Sequence, residues 1–354
     1  MYKLILILIS ALLIGCGGSN KASSTKKEES KNIIKELKVI KIIDPQKEFS
    51  HIRISQKREL LFATDNEKIN IFDITDTPSP KPLSSLKILN GEFTINDIEL
   101  SKEEDKIYVA GDVFALFEKT EKSKTNSLKF LEIIDIQNPS KPKILEKWID
   151  EGKAKRALCF KNIIYLLGES KIDDQIKPSI LAIDVQNPLN PIPLSRIETK
   201  GSIFDGDIHK ESENIFIAEG KEGIESINFK DPSNPFISSS APLNRSPYFI
   251  KINNDKAFTL NADSSISKID ISDPSNPKII KTVKIPQINQ IGNLKIADSN
   301  LFISALQSGL FVVDENLKLK ALSKTKNPIT DTAVKSGDRT VFAASQKGIY
   351  IIRY

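Results

Sequence analysis

Histidine, cysteine, methionine and tryptophan are almost missing from this chain of 354 residues, which has two His, two Cys, one Met and one Trp. With only His51 and His209, His-based zinc sites and multi-histidine catalysis are all but excluded. No Gly-x-Ser-x-Gly turn offers a strained nucleophile, so acyl transfer of the α/β-hydrolase kind has no signature. Apolar runs are short; the longest, Leu4–Ile14, cannot span a bilayer in a folded protein. Sustained 3.6-residue spacing over ten or more positions is also missing, which excludes helical repeats of the armadillo or HEAT kind. Nor does one sign of charge prevail. Lys and Arg number 51 against 46 Asp and Glu, a net charge of +5, and nothing points to nucleic acid as a partner.

What is present is a repeated phrase, Asp-x-x-[Asp/Asn]-Pro-x-x-Pro, each time just after a short apolar run. It stands at Ile133–Pro142, Ala182–Pro191 and Lys268–Pro277, with degraded copies at Ile71–Pro80 and Ile227–Pro235. Seven aromatic-containing runs recur, the first five each ahead of a copy: Leu61-Phe62-Ala63, Tyr108-Val109-Ala110, Tyr165-Leu166-Leu167, Phe216-Ile217-Ala218, Phe258-Thr259-Leu260, Phe302-Ile303-Ser304 and Phe342-Ala343-Ala344. The strands after these runs end at Asp73, Asp135, Asp184, Asn228, Asp270, Asp314 and Arg353. The period lies in the low forties, with insertions at 112–127 and 169–178 that read as loops breaking a hairpin.

The segments are four to eight residues long, rich in Ile, Val, Phe and Tyr, and bounded by turn formers, so they read as strands. Apolar residues on both parities (Ile133-Ile134, Val312-Val313, Ile351-Ile352) fit sheets covered on both faces. The Asp or Asn of each phrase is positioned to accept a backbone N–H one or two residues on. The prolines then fix φ and mark entry to an edge strand, which makes the recurring aspartates structural. Four strands per unit predict an all-β fold, a seven-bladed β-propeller of four-stranded antiparallel sheets. The last unit stops after its third strand, and Leu37–Ile43 resembles an outer strand. The N-terminal strand is therefore expected to complete the last blade and close the ring over residues 37–354.

Lys3 and the apolar run lead into Leu13-Ile14-Gly15-Cys16, which resembles the lipobox of bacterial lipoproteins. The resemblance implies a signal peptide over residues 1–15, cleavage before Cys16, and acylation of that thiol. Two or more chains at about 0.8 kcal/mol per buried methylene would hold the protein on a membrane. Gly17 rather than Asp at the next position favours an outer-membrane address in the cell envelope. Residues 16–36 read as a flexible polar tether. Cys159 is then the single remaining thiol, no intramolecular disulfide is possible, and its apolar setting reads as inert packing.

The Ile133–Pro142 phrase, with Asn96-Asp97-Ile98 and Lys106–Ala110, resembles the LVIVD-repeat family over about Leu37 to Tyr354. The resemblance implies an extracytoplasmic or surface propeller without an assigned activity. In the sixth and seventh units the proline phrase is missing. No Gly-His…Trp-Asp pair is present, and the lone Trp148 sits in an outer strand, which disfavours a WD40 fold.

A propeller would bring the starts of its inner strands to one axis, near Ser50/His51, Asp97, Arg156, Asp207, Tyr248, Asn293 and Asp331. Asp97, Asp207 and Asp331 with Asn293 could hold a hard cation such as Ca²⁺ through oxygen, or bond neighbouring amides instead. His209, two residues beyond Asp207, is expected to face the same channel, a weak general-base pair. Phe114 and Phe117 on the first insertion are candidate contact residues. The reading is a monomeric, lipid-anchored, non-catalytic module that binds a protein or surface polymer. A hydrolase or lactonase-like enzyme with a channel cation and a plain cell-surface scaffold are the alternatives. No catalytic residue or cofactor is assigned.

Overall fold

The computed structural model describes residues 34–116 and 127–354; Cys16 and Phe117, with the signal peptide and most of the tether, lie outside them. Two strands open the described chain, β1 (Lys35–Glu36) and β2 (Lys38–Ile43), and both are used by sheets formed far downstream. The next sheet joins β3 (His51–Ser55), β4 (Leu60–Thr64), β5 (Lys68–Asp73) and β6 (Lys81–Lys87). A larger one follows, with β7 (Gly91–Leu100), β8 (Lys106–Leu116), β9 (Leu128–Asp135), β10 (Lys143–Phe160), β11 (Ile163–Ile172), β12 (Gln175–Asp184) and β13 (Ile192–Glu198). Then come β14 (Asp205–His209), β15 (Asn214–Ala218), β16 (Ile224–Asn228) and β17 (Phe236–Ala241). After them stand β18 (Pro247–Asn253), β19 (Lys256–Asn261), β20 (Ser265–Asp270) and β21 (Lys278–Lys284). β22 (Asn293–Ala297), β23 (Asn300–Ser304), β24 (Leu310–Asp314) and β25 (Leu319–Ser323) take β1 as a parallel edge. The last sheet is β26 (Ile329–Lys335), β27 (Thr340–Ser345) and β28 (Gly348–Arg353), with β2 antiparallel beside β28.

The fold is therefore all-β, built mainly of four-stranded antiparallel sheets. The third strands end at the residues the repeated phrase marks. The seven-stranded sheet is two four-stranded units sharing β10. The first part of β10 pairs with β9 as far as Glu151↔Leu128, and the rest pairs with β11 from Gly152↔Ser170. Gly152 at this crossover has φ 121°, and a Cβ there would lie 2.0 Å from the Glu169 carbonyl oxygen, so only glycine fits.

The reading of 169–178 as a loop needs correction, as does that of 112–116, while residues 117–126 of the first insertion lie outside the described residues. β8 continues to Leu116, and β11 and β12 run to a tight turn, with Glu169↔Pro178 and Ile172↔Gln175 paired. The β11–β12 hairpin is thus longer than the five- or six-residue strand pairs β15–β16, β19–β20, β23–β24 and β27–β28 of the later sheets, and β8 likewise extends beyond them as far as it is described.

The repeated phrase acts twice. Within a unit, Asp73, Asp135, Asp184, Asn228, Asp270 and Asp314 each accept, through Oδ1, the amide two residues on, at 2.7–3.1 Å. That is the predicted Asx turn. Between units, the fourth residue of an outer strand reaches the next unit's turn. Ser84, Ser195 and Ser239 donate to the carbonyls of Pro139, Pro232 and Pro274 at 2.6–2.8 Å. Lys281 makes the same reach to the Asn316 carbonyl where the proline is missing, and Lys41 of β2 reaches Ser79 Oγ.

Apolar clusters fill the spaces between units. Phe62 and Ile71 meet Ile98, Val109 and Phe130, and Phe49, Leu61 and Phe72 meet Phe342, Ile349 and Ile351. The aromatic of every second strand is at most 3 % exposed. Burying each such side chain contributes roughly 1.5–3 kcal/mol. First strands pack beside one another as well: β3 lies against β26 and β7, β7 against β10, β10 against β14, β14 against β18, β18 against β22, and β22 against β26.

Candidate functional site

Where these first strands meet, one position in each supplies a side chain at a common level. The residues are His51, Asp97, Arg156, Asp205, Phe249, Asn293 and Asp331. Their partners on the second strands are Thr64, Ala110, Leu167, Ala218, Leu260, Ser304 and Ala344. Irregular pairing just before Asp97, Arg156, Phe249 and Asp331 re-aims the strand there. Asp205 and Phe249 thus hold the places expected of Asp207 and Tyr248. Asp207 lies two residues further down β14, on the same face. Alternation alone cannot distinguish the two acids of Asp205-Gly206-Asp207, and a bulge has no sequence mark.

Each acid at this level ties its own four-stranded unit to the next one. Asp97 Oδ2 accepts from Ala157 N, Asp205 Oδ2 from Ile250 N and Asp331 Oδ2 from Ile52 N, all at 3.1 Å. Asn293 Nδ2 donates to Asp331 Oδ1 at 2.6 Å. Arg53 bridges two of the acids, with Nη2 2.6 Å from Asp97 Oδ1 and Nη1 3.2 Å from Asp331 Oδ2. Lys251 Nζ lies 2.7 Å from Asp205 Oδ2, and Arg156 Nε 3.0 Å from Asp205 Oδ1. Burial alone would raise Asp97 and Asp331. The cations outweigh it, Arg53 and Arg156 holding Asp97 low and Lys295 with Arg53 holding Asp331 down to about 2.

Asp207 spends its oxygens on the amides of Ile208 and Ile252, at 2.9 and 2.8 Å, and burial pushes its carboxyl up. Of the two readings open for Asp97, Asp207 and Asp331, cation ligands or partners of neighbouring amides, the contacts fit the second. Two of these acids share a guanidinium, the third faces amides, and among the described residues they form no group of mutually close ligand atoms.

A cavity of about 510 Å³ opens beside this level, lined by Arg53, Glu99, Asp207, Lys251 and Lys295 among others. Burial pushes Lys295 down to about 8 and Glu99 up. Arg156 lines this cavity and also a smaller recess of about 270 Å³ with His51, Asn96, Lys155 and Phe204. His51 Nε2 lies 3.0 Å from the Ile95 carbonyl, and burial pushes the imidazole down. Phe204 stacks on Tyr248 with ring centroids 4.4 Å apart, and Lys155 Nζ stands 5.1 Å over the Phe204 ring.

His209 is not part of the cavity lining; it sits at the far end of β14, beside Ser212 and Asp255. Phe114 is 70 % exposed on the tall β8–β9 hairpin. The residues missed from sequence, Arg53, Asp205, Lys251 and Lys295, follow a readable signal, charges at alternate positions of otherwise apolar strands. Compared with protein-family models and with curated proteins, the chain matches none.

Proposed function

We propose that the sheets close into a seven-bladed β-propeller of the LVIVD-repeat kind. On this reading the chain is a lipid-anchored envelope protein that binds another protein or a surface polymer without catalysing a reaction. Closure is supported by the succession of first-strand neighbours from β3 through β26 and back to β3, with β10 shared between two blades. It is supported too by the pairing of β2 with β28. The lipobox-like Cys16 motif carries the envelope address.

One observation carries the binding role, the raised wall formed by the β8–β9 and β11–β12 hairpins. Lys129, 1 % exposed, pins it internally by donating to the carbonyls of Glu151 and Glu169 and to Ser170 Oγ at 2.8–2.9 Å. Asp112 adds a second tie, accepting from Asn96 Nδ2 and Ala154 N at 2.9 Å. A wall held this way displays Phe114 and Ile176, 70 % and 40 % exposed, at little entropic cost on binding. The Phe204–Tyr248 pair lies at the same end of the first strands and adds an aromatic contact. The non-catalytic side of the reading rests on the axial carboxylates, each already engaged by amides or cations.

The test is crosslinking of the full chain in intact envelopes, wild type against the Phe114→Ser, Ile176→Ser double variant. A partner band that disappears in a variant with an unchanged melting temperature supports the reading. The same band at undiminished yield overturns it.

A further inference from the structure

At the other end of β14, away from the wall, three potential metal ligands meet. His209, Glu211 and Asp255 place one imidazole nitrogen and two carboxylate oxygens within 4.8 Å of one another. The scarcity of histidine argues against polyhistidine centres but leaves a site with one imidazole open. His209 ends β14, Glu211 follows in the turn before β15, and Asp255 stands in the turn between β18 and β19. The group therefore spans two adjacent sheets.

His209 has the character of a ligand held ready. Its residue is 4 % exposed, and its Nδ1 lies 2.6 Å from Ser212 Oγ, which fixes the ring. Nε2 is buried and has no hydrogen-bond partner, though it points into the carboxylates. Asp255 Oδ1 is 3.3 Å from it, close but without hydrogen-bond geometry. A hydrogen bond in this place would be shorter and better aimed. Two ligands on a tetrahedral zinc ion, each at about 2.0–2.1 Å, stand about 3.3–3.4 Å apart. Ser212 supplies the outer contact that ligating imidazoles usually make through their second nitrogen.

We propose that His209, Glu211 and Asp255 bind one divalent transition ion of the zinc class, tying the β14 and β18 sheets together at the turn end of the strands. Exposed Glu211 swings in as third ligand, and a water completes the tetrahedron. Borderline-soft nitrogen with two oxygens suits Zn²⁺ over Ca²⁺, which takes six or more oxygens. The proposal is independent of the binding role assigned to the wall.

The test is a Zn²⁺ titration of the chelator-treated full chain against a chromophoric zinc indicator, with melting curves at each point. The wild type should take up one equivalent more than His209→Ala and melt at higher temperature when loaded. Asp255→Asn, on a solvent-facing turn, should lose the same equivalent while its metal-free melting temperature stays unchanged. Ser212→Ala should weaken the site by about tenfold, as loss of an outer-shell partner does. Equal zinc uptake by wild type, His209→Ala and Asp255→Asn overturns the proposal. So does a wild-type melting temperature that zinc leaves unmoved.

Discussion

Replacing Asp331 by Asn changes one atom at the point where three sheets are tied, and its cost follows from that atom's neighbours. Oδ1 accepts from Asn293 Nδ2 at 2.6 Å and Thr332 N at 2.8 Å, while Oδ2 accepts from Ile52 N at 3.1 Å and Arg53 Nη1 at 3.2 Å. Whichever way the new amide turns, its NH₂ faces two donors, and Arg53 loses half of its counter-charge. Removing one partner of a buried pair costs about 3–5 kcal/mol. Over roughly 320 ordered residues at about 2.1 cal/mol/K each, a loss in that range lowers the melting temperature by about 4–7 °C.

The wild type should also show a pH signature. The folded carboxyl is held down to about 2, below its ordinary 3.8. A depressed folded pKa means the stabilisation is complete above about pH 4 and is lost as pH falls towards 2. The part at stake is about 2 kcal/mol. Urea unfolding followed by circular dichroism at pH 7, 4 and 3 measures both effects. The gap between wild type and Asp331→Asn should be widest at pH 7 and narrow below pH 4. A gap under about 1 kcal/mol at pH 7, or one that pH does not change, would refute the reasoning.

Glu132 is fully buried with both oxygens lacking hydrogen bonds, Lys147 Nζ lies 3.7 Å away, and burial pushes its carboxyl up to about 7. A raised folded pKa makes stability fall as pH climbs from about 4.5 to 7. Glu132→Gln should therefore gain about 3 kcal/mol at pH 8 and almost nothing at pH 4, read from the same urea curves. The rim latches predict a smaller effect, with Ser195→Ala and Ser239→Ala each losing about 1 kcal/mol and adding to about 2 in the double variant. Cys159 is only half-buried, yet burial pushes its thiol up to about 12. At pH 8 it should react with a disulfide reagent far more slowly than it does in the urea-unfolded chain, timed by absorbance.

Turns were the legible part of this fold. An Asp or Asn two residues before its own amide partner is a local device, so the ends of β5, β9, β12, β16, β20 and β24 could be read from one sequence. Features that depend on neighbouring strands could not. The irregularity before Phe249 puts it, rather than Tyr248, at the common level of the first strands, and alternation hid Asp205 behind Asp207. Glu169 and Lys171 looked like loop because polar residues on a hairpin that outgrows its neighbours resemble polar residues in a loop. The parallel pairing of Lys35 and Glu36 with Ala321 and Leu322 is two residues long and left no pattern. Asp97, Arg156, Asn293 and Asp331 stand at the common level of the first strands, whereas Arg53 and Lys295 are legible as charges at alternate positions but their hold on Asp331 follows only from the packed strands.

Ring closure by the N-terminal strand is the claim on which blade count and axial geometry depend, and hydrogen exchange of the intact chain tests it most directly. A closed ring predicts that the amides pairing β2 with β28, around Ile42↔Tyr350 and Val39↔Ile352, exchange as slowly as those between β27 and β28. Rapid exchange throughout Lys38–Ile43 while β26–β28 stays protected would mean that the last sheet is unlatched, and would contradict closure.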